Sequence, residues 1–310
     1  MDTGTTACPS CASRSSRSLG ESSFCEWAEN AEVVALREMS GGLFECESCR
    51  LVFRSPMPPD EALRAAYAAM PADSWAYEVP GHWGWIRNCI RELAPNKRVL
   101  DVGCFRGDFL ETLPKDSVRF GIEPNADAGG IASSRGITML GRDAMDQLPG
   151  NEESFGAIVL MDVAEHVRDP AAVFRHLRRY LAPGGVLLVL TGNSEHWLAR
   201  RSLPFYWYMS FPIHLVYLGS RYMRWLARTE RWTIARELRY TTHFRGRKNH
   251  AKDLAQGVAL MMWKRWLGKS FLAGALRKMP GIARLDAMKS PPLLFSVHDH
   301  FGVALVKPRE

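Results

Sequence analysis

The stretch Arg98-Val-Leu-Asp-Val-Gly-Cys-Phe-Arg-Gly-Asp-Phe-Leu110 decides the fold of this 310-residue chain. It begins as a short apolar run typical of a buried strand, turns through Gly103 and Gly107, and continues into an amphipathic segment. Glycine lets the backbone approach a ligand closely, and the start of a helix offers free N–H groups. The combination predicts a cofactor cradle, although a turn with two glycines can occur in any α/β protein.

Four later segments repeat the strand pattern at fitting distances. A second apolar run ends in Glu123, a third is followed by Asp143, and a fourth passes into Glu165 and His166. A helix end, a Pro-Gly-Gly turn and a fifth run up to residue 190 complete the series. In a doubly wound sheet an acid after the second strand can hydrogen-bond both ribose hydroxyls. The order predicts an α/β fold with a doubly wound, mostly parallel sheet.

Taken together, these motifs resemble those of class I S-adenosylmethionine-dependent methyltransferases over residues 97–195. The residues that carry the resemblance are Asp101-x-Gly103-x-x-x-Gly107, Glu123, Asp143, Glu165-His166 with Asp169-Pro170, and Leu181-x-Pro-Gly-Gly185. The resemblance implies a Rossmann-like core and S-adenosylmethionine as cofactor. One position departs from the family pattern, since Phe105 stands in place of the middle glycine. The turn remains possible, and we expect a narrower space beside the methionine moiety.

The resemblance also implies roles for individual residues. Glu123 is expected to bind the ribose hydroxyls, Asp101 to orient the glycine turn and the methionine amino group, and Asp143 with the Ala144 backbone to meet the adenine edge. An alternative for Asp143 is a local turn role, because acids at strand ends often bond nearby backbone groups. Further cofactor contacts are expected at Gly103, Cys104, Gly107, Pro124 and Asp162.

Two Cys-x-x-Cys pairs, Cys8 with Cys11 and Cys46 with Cys49, precede the core. Four thiolates form a closed tetrahedral shell that Zn²⁺ accepts, which predicts a structural zinc ribbon. Redox-active or unrelated thiols are the alternative. Two Cys-x-x-Cys pairs indicate a reducing compartment. No N-terminal apolar stretch resembles a signal peptide, so we predict a cytoplasmic location.

The chain divides into five predicted parts. They are a zinc ribbon (1–55), a linker and helical lead-in (56–96), the cofactor-binding core (97–196), an acceptor or cap region with a basic helical insertion (197–290) and a final core strand (291–310). A ribbon, a proline-rich exit and a methyltransferase core resemble bacterial methyltransferases of sugar, polysaccharide and natural-product pathways.

Methyl transfer to a hydroxyl or a carbon acid calls for a general base with a pKa near neutral, which suits histidine. His166 follows the fourth strand, where open α/β sheets place their ligands. His214 lies in the segment that the resemblance assigns to the acceptor side. Either histidine could instead only pack, cap a helix or orient the acceptor. The sequence predicts no catalytic metal site, because no His/Asp/Glu cluster is visible in the core.

The charge distribution bears on the acceptor. Residues 197–289 contain 19 Lys or Arg against 4 Asp or Glu, and six of the ten tryptophans. We expect a small-molecule acceptor, most simply a sugar, nucleotide-sugar or related natural product, and phosphate on it would suit the basic excess. The alternatives are a quinone-like or lipid-linked acceptor at the inner membrane surface, reached through basic helices, or a nucleic-acid-binding methyltransferase. No nucleic-acid partner is expected, because no base-methylating motif follows the fourth strand.

Overall fold

The structure of the chain is a computed structural model. It describes residues 6–22, 24, 31–71, 80–202, 206–241 and 298–309, together with residues 251–287 except 253, 254, 256, 257, 261, 264 and 265. The strands are β1 Ser16–Gly20, β2 Gly42–Cys46, β3 Val52–Ser55, β4 Arg98–Val102, β5 Val118–Ile122, β6 Thr138–Gly141, β7 Phe155–Met161, β8 Leu181–Gly192, β9 Val216–Tyr217, β10 Thr233–Tyr240 and β11 His300–Val306.

Helices cover the sheet and its ends. They are α1 Ala31–Ala35, α2 Asp60–Ala68, α3 His82–Leu93, α4 Asp108–Glu111, α5 Ala126–Ser134, α6 Pro170–Arg178, α7 Trp197–Ser202, α8 Ser220–Thr229, α9 Ala273–Leu276 and α10 Pro280–Ala287. Short 3₁₀ turns lie at Trp207–Ser210 and Leu267–Lys269. In the part of the chain that the structure describes, no helix combines the length and the apolar character needed to cross a bilayer.

The main sheet has seven strands in the order β10-β11-β8-β7-β4-β5-β6. Strands β8, β7, β4, β5 and β6 are parallel, and β11 runs antiparallel between β8 and β10. The first six residues of β7 are buried, as expected for a parallel strand covered on both faces. The predicted doubly wound, Rossmann-like methyltransferase sheet is confirmed. Its strand order reverses between β4 and β7, and ligands bind at such a switch point.

A second, antiparallel sheet contains the predicted ribbon in the order β1-β2-β3-β9. Its fourth strand comes from the predicted cap region, because Val52 pairs with Tyr217 and Phe53 with Val216. Three of the four ligand cysteines share one apolar core with Leu215 and Val216. The ribbon and the acceptor-side segment therefore form one structural unit, which the sequence division into five parts did not predict.

One further detail differs from the sequence-based picture. The fifth core strand, β8, begins at Leu181 rather than after the Pro-Gly-Gly turn, and Gly184 with φ 75° produces an irregularity within it. In the insertion, the apolar residues Leu254, Val258, Met262 and Trp266 recur every four positions, which predicts one apolar helical face, and Leu254 lies outside the described residues.

Candidate functional site

The cofactor cradle lies between β4 and α4. Gly103 and Gly107 both have positive φ angles, 75° and 80°, a region that side chains rarely occupy. A Cβ on Gly103 would lie 2.5 Å from Val163 Cγ2, and one on Gly107 would collide with Ile137. Phe105, the departure from the family pattern, also has a positive φ of 50°. The turn therefore keeps its left-handed geometry despite this substitution, and it packs directly on the loop after β7.

Glu123 follows β5 and faces this turn. Its side chain is 7% exposed, and its two oxygens accept hydrogen bonds from the backbone N–H groups of Phe105 at 2.8 Å and Asn125 at 2.9 Å. Burial raises the pKa of Glu123, while these two bonds oppose the increase. A carboxylate has about four acceptor positions, so two remain for ligand hydroxyls. This arrangement suits the predicted ribose contact.

Asp101 lies at the floor of the cradle and is 1% exposed. Its Oδ1 is buried without a hydrogen-bond partner among the described residues. Burial, followed by repulsion from Glu123, raises the pKa of Asp101 well above its usual range. A buried polar atom without a partner is costly, so a donor such as the amino group of the cofactor fits here. The cradle thus accommodates the group that the resemblance implies.

The remaining predicted cofactor residues lie around the same edge. Cys104 is buried, Pro124 is exposed and Ala144 is half-buried. Asp143 is exposed, and its Oδ1 accepts a hydrogen bond from the Met145 N–H at 2.8 Å. The local turn role is therefore fulfilled, and Oδ2 remains for a ligand. The predicted adenine contact of Asp143 stays a prediction.

Asp162 directly follows β7, has φ 50° and is exposed. Desolvation by the surrounding protein, followed by repulsion from Glu165, raises the pKa of Asp162 to about 7. Its position at the switch point agrees with the predicted cofactor contact, which stays a prediction.

Three side chains meet just beyond β7: Glu165, His166 and His214. One donor atom of each lies within 4.8 Å of the others. The imidazole rings of His166 and His214 make an edge contact with centroids 4.8 Å apart. The fold brings together two histidines 48 positions apart, because the backbone N–H groups of Leu215 and Val216 both donate to the Glu165 carbonyl, at 2.8 and 3.2 Å.

The hydrogen bonds of the two rings fix their tautomers. His166 Nδ1 lies 3.1 Å from the Ile213 carbonyl, and His214 Nδ1 lies 2.8 Å from the Tyr208 carbonyl. A carbonyl oxygen only accepts, so both Nδ1 atoms carry hydrogen and both neutral rings present an Nε2 lone pair. Burial, followed by the neighbouring His166, lowers the pKa of His214 well below its usual value. The Nε2 atoms of both rings are the candidate proton acceptors, and the lowered pKa makes that of His214 a weaker base than an ordinary imidazole.

In the sequence, Glu165 is recognisable only as part of a motif, and its partners are not recognisable at all. Tyr208 donates to Glu165 Oε1 at 2.6 Å, and Thr191 donates to Oε2 at 2.8 Å. Tyr67 of α2 covers His166 with a perpendicular ring contact at 5.7 Å. The tyrosines lay within apolar or aromatic segments, and no spacing rule distinguished them from packing residues. Only the tertiary contacts bring them to the site.

The same cluster bears on the expectation of metal-independent chemistry. Two imidazoles and a carboxylate within 4.8 Å form a ligand set that can hold a divalent cation. The sequence did not predict this ligand set, because His214 is remote from Glu165 along the chain. However, both oxygens of Glu165 already accept hydrogen bonds from Tyr208 and Thr191.

The four predicted zinc ligands lie together in the ribbon. The Sγ atoms of Cys8 and Cys49, and those of Cys11 and Cys46, are each 3.5 Å apart, and all four lie within 4.8 Å. Tetrahedral Zn–S bonds of about 2.3 Å require sulfur separations of roughly 3.8 Å. In each Cys-x-x-Cys pair, the backbone N–H of the residue after the second cysteine donates a hydrogen bond to the carbonyl of the first cysteine. These bonds join Ala12 to Cys8 and Arg50 to Cys46. The site fits one Zn²⁺ ion.

Known proteins with similar sequences include methyltransferases. Residues 84–233 match the family model described as "Methyltransferase domain". An uncharacterised protein of Mycobacterium tuberculosis is 32% identical over 140 residues, covering 42% of this chain and 47% of that protein. The ubiquinone biosynthesis O-methyltransferase of Hahella chejuensis is 33% identical over 112 residues, covering 34% and 47%. The matches thus span about half of the length of these relatives.

Solved structures with similar folds include two S-adenosylmethionine-dependent methyltransferases. One, from Thermotoga maritima and described as a possible histamine N-methyltransferase, has 14% identity, covers 73% of this chain and 90% of that chain, and gives a TM-score of 0.45. The other, from Archaeoglobus fulgidus, has 15% identity, coverages of 73% and 92%, and a TM-score of 0.45. At these scores the similarity carries no argument about activity.

The sheet order, the glycine cradle and the match over residues 84–233 define a class I S-adenosylmethionine-dependent methyltransferase domain. Residues 84–233 carry this domain, and the chain has in addition a four-cysteine ribbon joined to its acceptor-side segment.

Proposed function

We propose that the protein transfers a methyl group from S-adenosylmethionine to a small-molecule acceptor, most simply a sugar, nucleotide-sugar or related natural product. The observation that carries the proposal is the contact between the cradle and the histidine pair: the Gly103 turn packs on Val163, three residues before His166. This proximity supports a scheme in which cofactor binding and proton removal occur at one edge of the sheet. A cytoplasmic location is part of the proposal.

The chain's residues have distinct tasks in this scheme. When bound, S-adenosylmethionine supplies a methyl carbon activated by a positively charged sulfur. Glu123 and Asp101 would hold the ribose and the amino group, and the cradle would fix the orientation of the reacting carbon. Nε2 of His214 or His166 would take the proton of the acceptor as its oxygen or carbon forms the new bond. Zn²⁺ in the cysteine site would stabilise the ribbon and take no part in the chemistry.

The basic excess of residues 197–289 supports an acceptor that carries phosphate. The direct test is incubation of the purified protein with S-adenosylmethionine and a panel of nucleotide-sugars, with mass spectrometry of the products. A mass increase of one methyl group on a nucleotide-sugar, and none on the matching free sugar, is the expected result. Methylation of the free sugars alone would exclude a phosphate-bearing acceptor.

A second candidate is a quinone-like or lipid-linked acceptor at a membrane surface. Four large apolar side chains of the described insertion are more than half exposed, namely Trp266 at 57%, Phe271 at 94%, Leu272 at 51% and Met279 at 54%. Basic residues such as Arg277 and Lys278 lie in the same stretch, as in segments that bind anionic lipid. Two of the relatives named ubiquinone biosynthesis O-methyltransferases, from Hahella chejuensis and Sodalis glossinidius, support the same candidate.

Sedimentation with phosphatidylcholine vesicles that contain phosphatidylglycerol tests this second candidate. The double variant Phe271→Ser and Leu272→Ser should lose vesicle binding and retain turnover on any water-soluble acceptor. Absence of vesicle binding by the unmodified protein would leave the soluble acceptor as the proposal.

A further inference from the structure

The side chain of Arg54 is completely buried between the ribbon and the acceptor-side segment. It lies in β3, the strand that pairs with β9, and its backbone N–H donates to the Leu215 carbonyl at 2.9 Å. Its guanidinium group therefore extends from the cysteine-bearing sheet into the segment that holds His214. Arg54 therefore connects the cysteine-bearing sheet to the segment that holds His214.

The guanidinium donates to several backbone carbonyls of that segment. Nε donates to the His214 carbonyl at 2.8 Å, and a terminal nitrogen donates to the carbonyls of Phe211, at 3.3 Å, and Met209. The other terminal nitrogen donates to the Ser22 hydroxyl, and the guanidinium also lies over the Tyr217 ring, 5.8 Å from its centroid. These contacts fix the main chain on both sides of the loop that presents His214.

Three of these acceptors are carbonyls of one short stretch, those of Met209, Phe211 and His214. The fork of five guanidinium N–H groups can hold several carbonyls in one fixed geometry, which a lysine cannot do. The Arg54 side chain is therefore suited to defining the path of the main chain at this stretch.

Other bonds support the same link. The Tyr217 hydroxyl lies 3.1 Å from the His214 carbonyl and 3.2 Å from that of Met209. On the other side, Ser10, which lies between the ligands Cys8 and Cys11, donates to Asp169 at 2.9 Å, and Asp169 caps α6 just after His166. The ribbon thus contacts the chain near both histidines.

We propose that the cysteine-held ribbon is the frame that sets the geometry of the acceptor-side histidine, and that Arg54 is the positioning residue through which it acts on His214. The proposal rests on the proposed function for its effect on turnover. The proposal assigns a positioning role to the ribbon, and no ribbon side chain takes part in the reaction itself.

Hydrogen exchange followed by mass spectrometry tests the positioning without any assumption about the acceptor. In the full-length variant Arg54→Met, amides 209–216 should exchange at least tenfold faster, while those of β4 and β7 stay unchanged. The matched control is Arg17→Met, which removes a half-exposed ribbon arginine that pairs with Glu45. Unchanged exchange at 209–216 in Arg54→Met would overturn the proposal.

Kinetics on an acceptor that the unmodified protein methylates supply the second readout. Arg54→Met should lower kcat at least tenfold, with cofactor affinity and zinc content within twofold of the unmodified protein, and Arg54→Lys should recover only part of the loss. Equal kcat in all three proteins would overturn the positioning role. If the unmodified protein shows no turnover on any acceptor while the exchange result holds, the proposed function fails and the positioning of His214 stands.

A milder variant, Tyr217→Phe, tests the same link if Arg54→Met does not fold. Tyr217→Phe removes one hydroxyl and its contacts with the His214 and Met209 carbonyls, and it keeps the buried ring. Exchange at 209–216 should again increase, by a smaller factor, and kcat should fall in parallel. A Tyr217→Phe protein that matches the unmodified protein in both measurements would contradict the proposal.

Discussion

The hydroxyl of Tyr208 donates a 2.6 Å hydrogen bond to Glu165 and joins the acceptor-side segment to the end of β7. The same hydroxyl accepts the Gly192 N–H at 2.9 Å. Because the acid is 1% exposed, this bond is made inside the protein, where an unpaired charge is costly. The relationship explains why the segment after β8 folds back over the site.

Replacing Tyr208 by phenylalanine should therefore destabilise the fold. The change deletes the bond to a buried carboxylate and leaves the Gly192 N–H without its acceptor, for a loss of about 1.5–3 kcal/mol in the free energy of unfolding. Tyr240→Phe is the matched control, since the buried Tyr240 hydroxyl has no partner among the described residues. Urea denaturation should show the loss only for Tyr208→Phe. Equal stability of the two variants would show that the Tyr208 bond contributes little.

Glu123→Ala should weaken binding of S-adenosylmethionine. The loss of bonds between a carboxylate and the ribose hydroxyls corresponds to about 1.5–3 kcal/mol, or roughly a 10- to 150-fold higher Kd. Glu123→Gln keeps the side-chain shape and one acceptor oxygen. Its Kd should therefore lie between those of the unmodified protein and Glu123→Ala. Calorimetry provides the measurement. An unchanged Kd in Glu123→Ala would remove this residue from the predicted cofactor site.

The stability of the unliganded protein should depend on pH through Asp101. Its pKa is raised by burial and by Glu123, so the protonated form is favoured in the folded state. The protonated Asp101 carboxyl group therefore stabilises the folded state fully below its unfolded-state pKa of about 4. This stabilisation is lost as the pH rises through the folded-state pKa of Asp101. Asp101→Asn should raise Tm at pH 8 relative to the unmodified protein, with a difference that shrinks toward pH 4.

The exposed Asp143 gives the control for this measurement, since Asp143→Asn removes a charge outside the interior. Asp101→Asn should also bind the cofactor more weakly, because it loses the charge predicted to meet the amino group. A Tm difference that stays constant between pH 4 and pH 8 would contradict the role given to burial.

Purified protein should contain about one zinc ion per chain. Cys46→Ser should release it and loosen residues 6–55, while Cys89→Ser, a buried cysteine outside the cluster, should retain it. Elemental analysis and calorimetry with S-adenosylmethionine are the measurements. Cofactor binding is expected to survive in Cys46→Ser, because the cradle lies on β4 and β5. Metal-free protein from a chelator-free purification would count against the zinc site.

His214→Ala or His166→Ala should reduce turnover by about 10²–10⁴-fold if the residue is the general base. Cofactor affinity should remain nearly unchanged, since neither histidine belongs to the cradle. His196→Ala, a buried histidine outside the cluster, is the control. A second metal equivalent that disappears in His214→Ala would assign the Glu165, His166 and His214 cluster to a cation rather than to proton removal.

The sequence by itself determined the core sheet and the cysteine site. Residues 98–110 specify a strand, a glycine turn and a helix start through local pattern alone, and the acids after β5 and β6 follow from position in the chain. Closely spaced cysteine pairs likewise leave little choice of ligands. Such features depend on residues near one another in sequence, where periodicity and spacing carry the information.

The acceptor side was decided only by the tertiary structure. His166 and His214 were both predicted, but their edge contact, their tautomers and the bonds of Glu165 to Tyr208 depend on how residues 206–217 return to β7. The pairing of β9 with β3 and the burial of Arg54 in the same place are equally long-range. A two-residue strand has no detectable period in the sequence, and a buried arginine resembles a surface one, so packing alone selects these contacts.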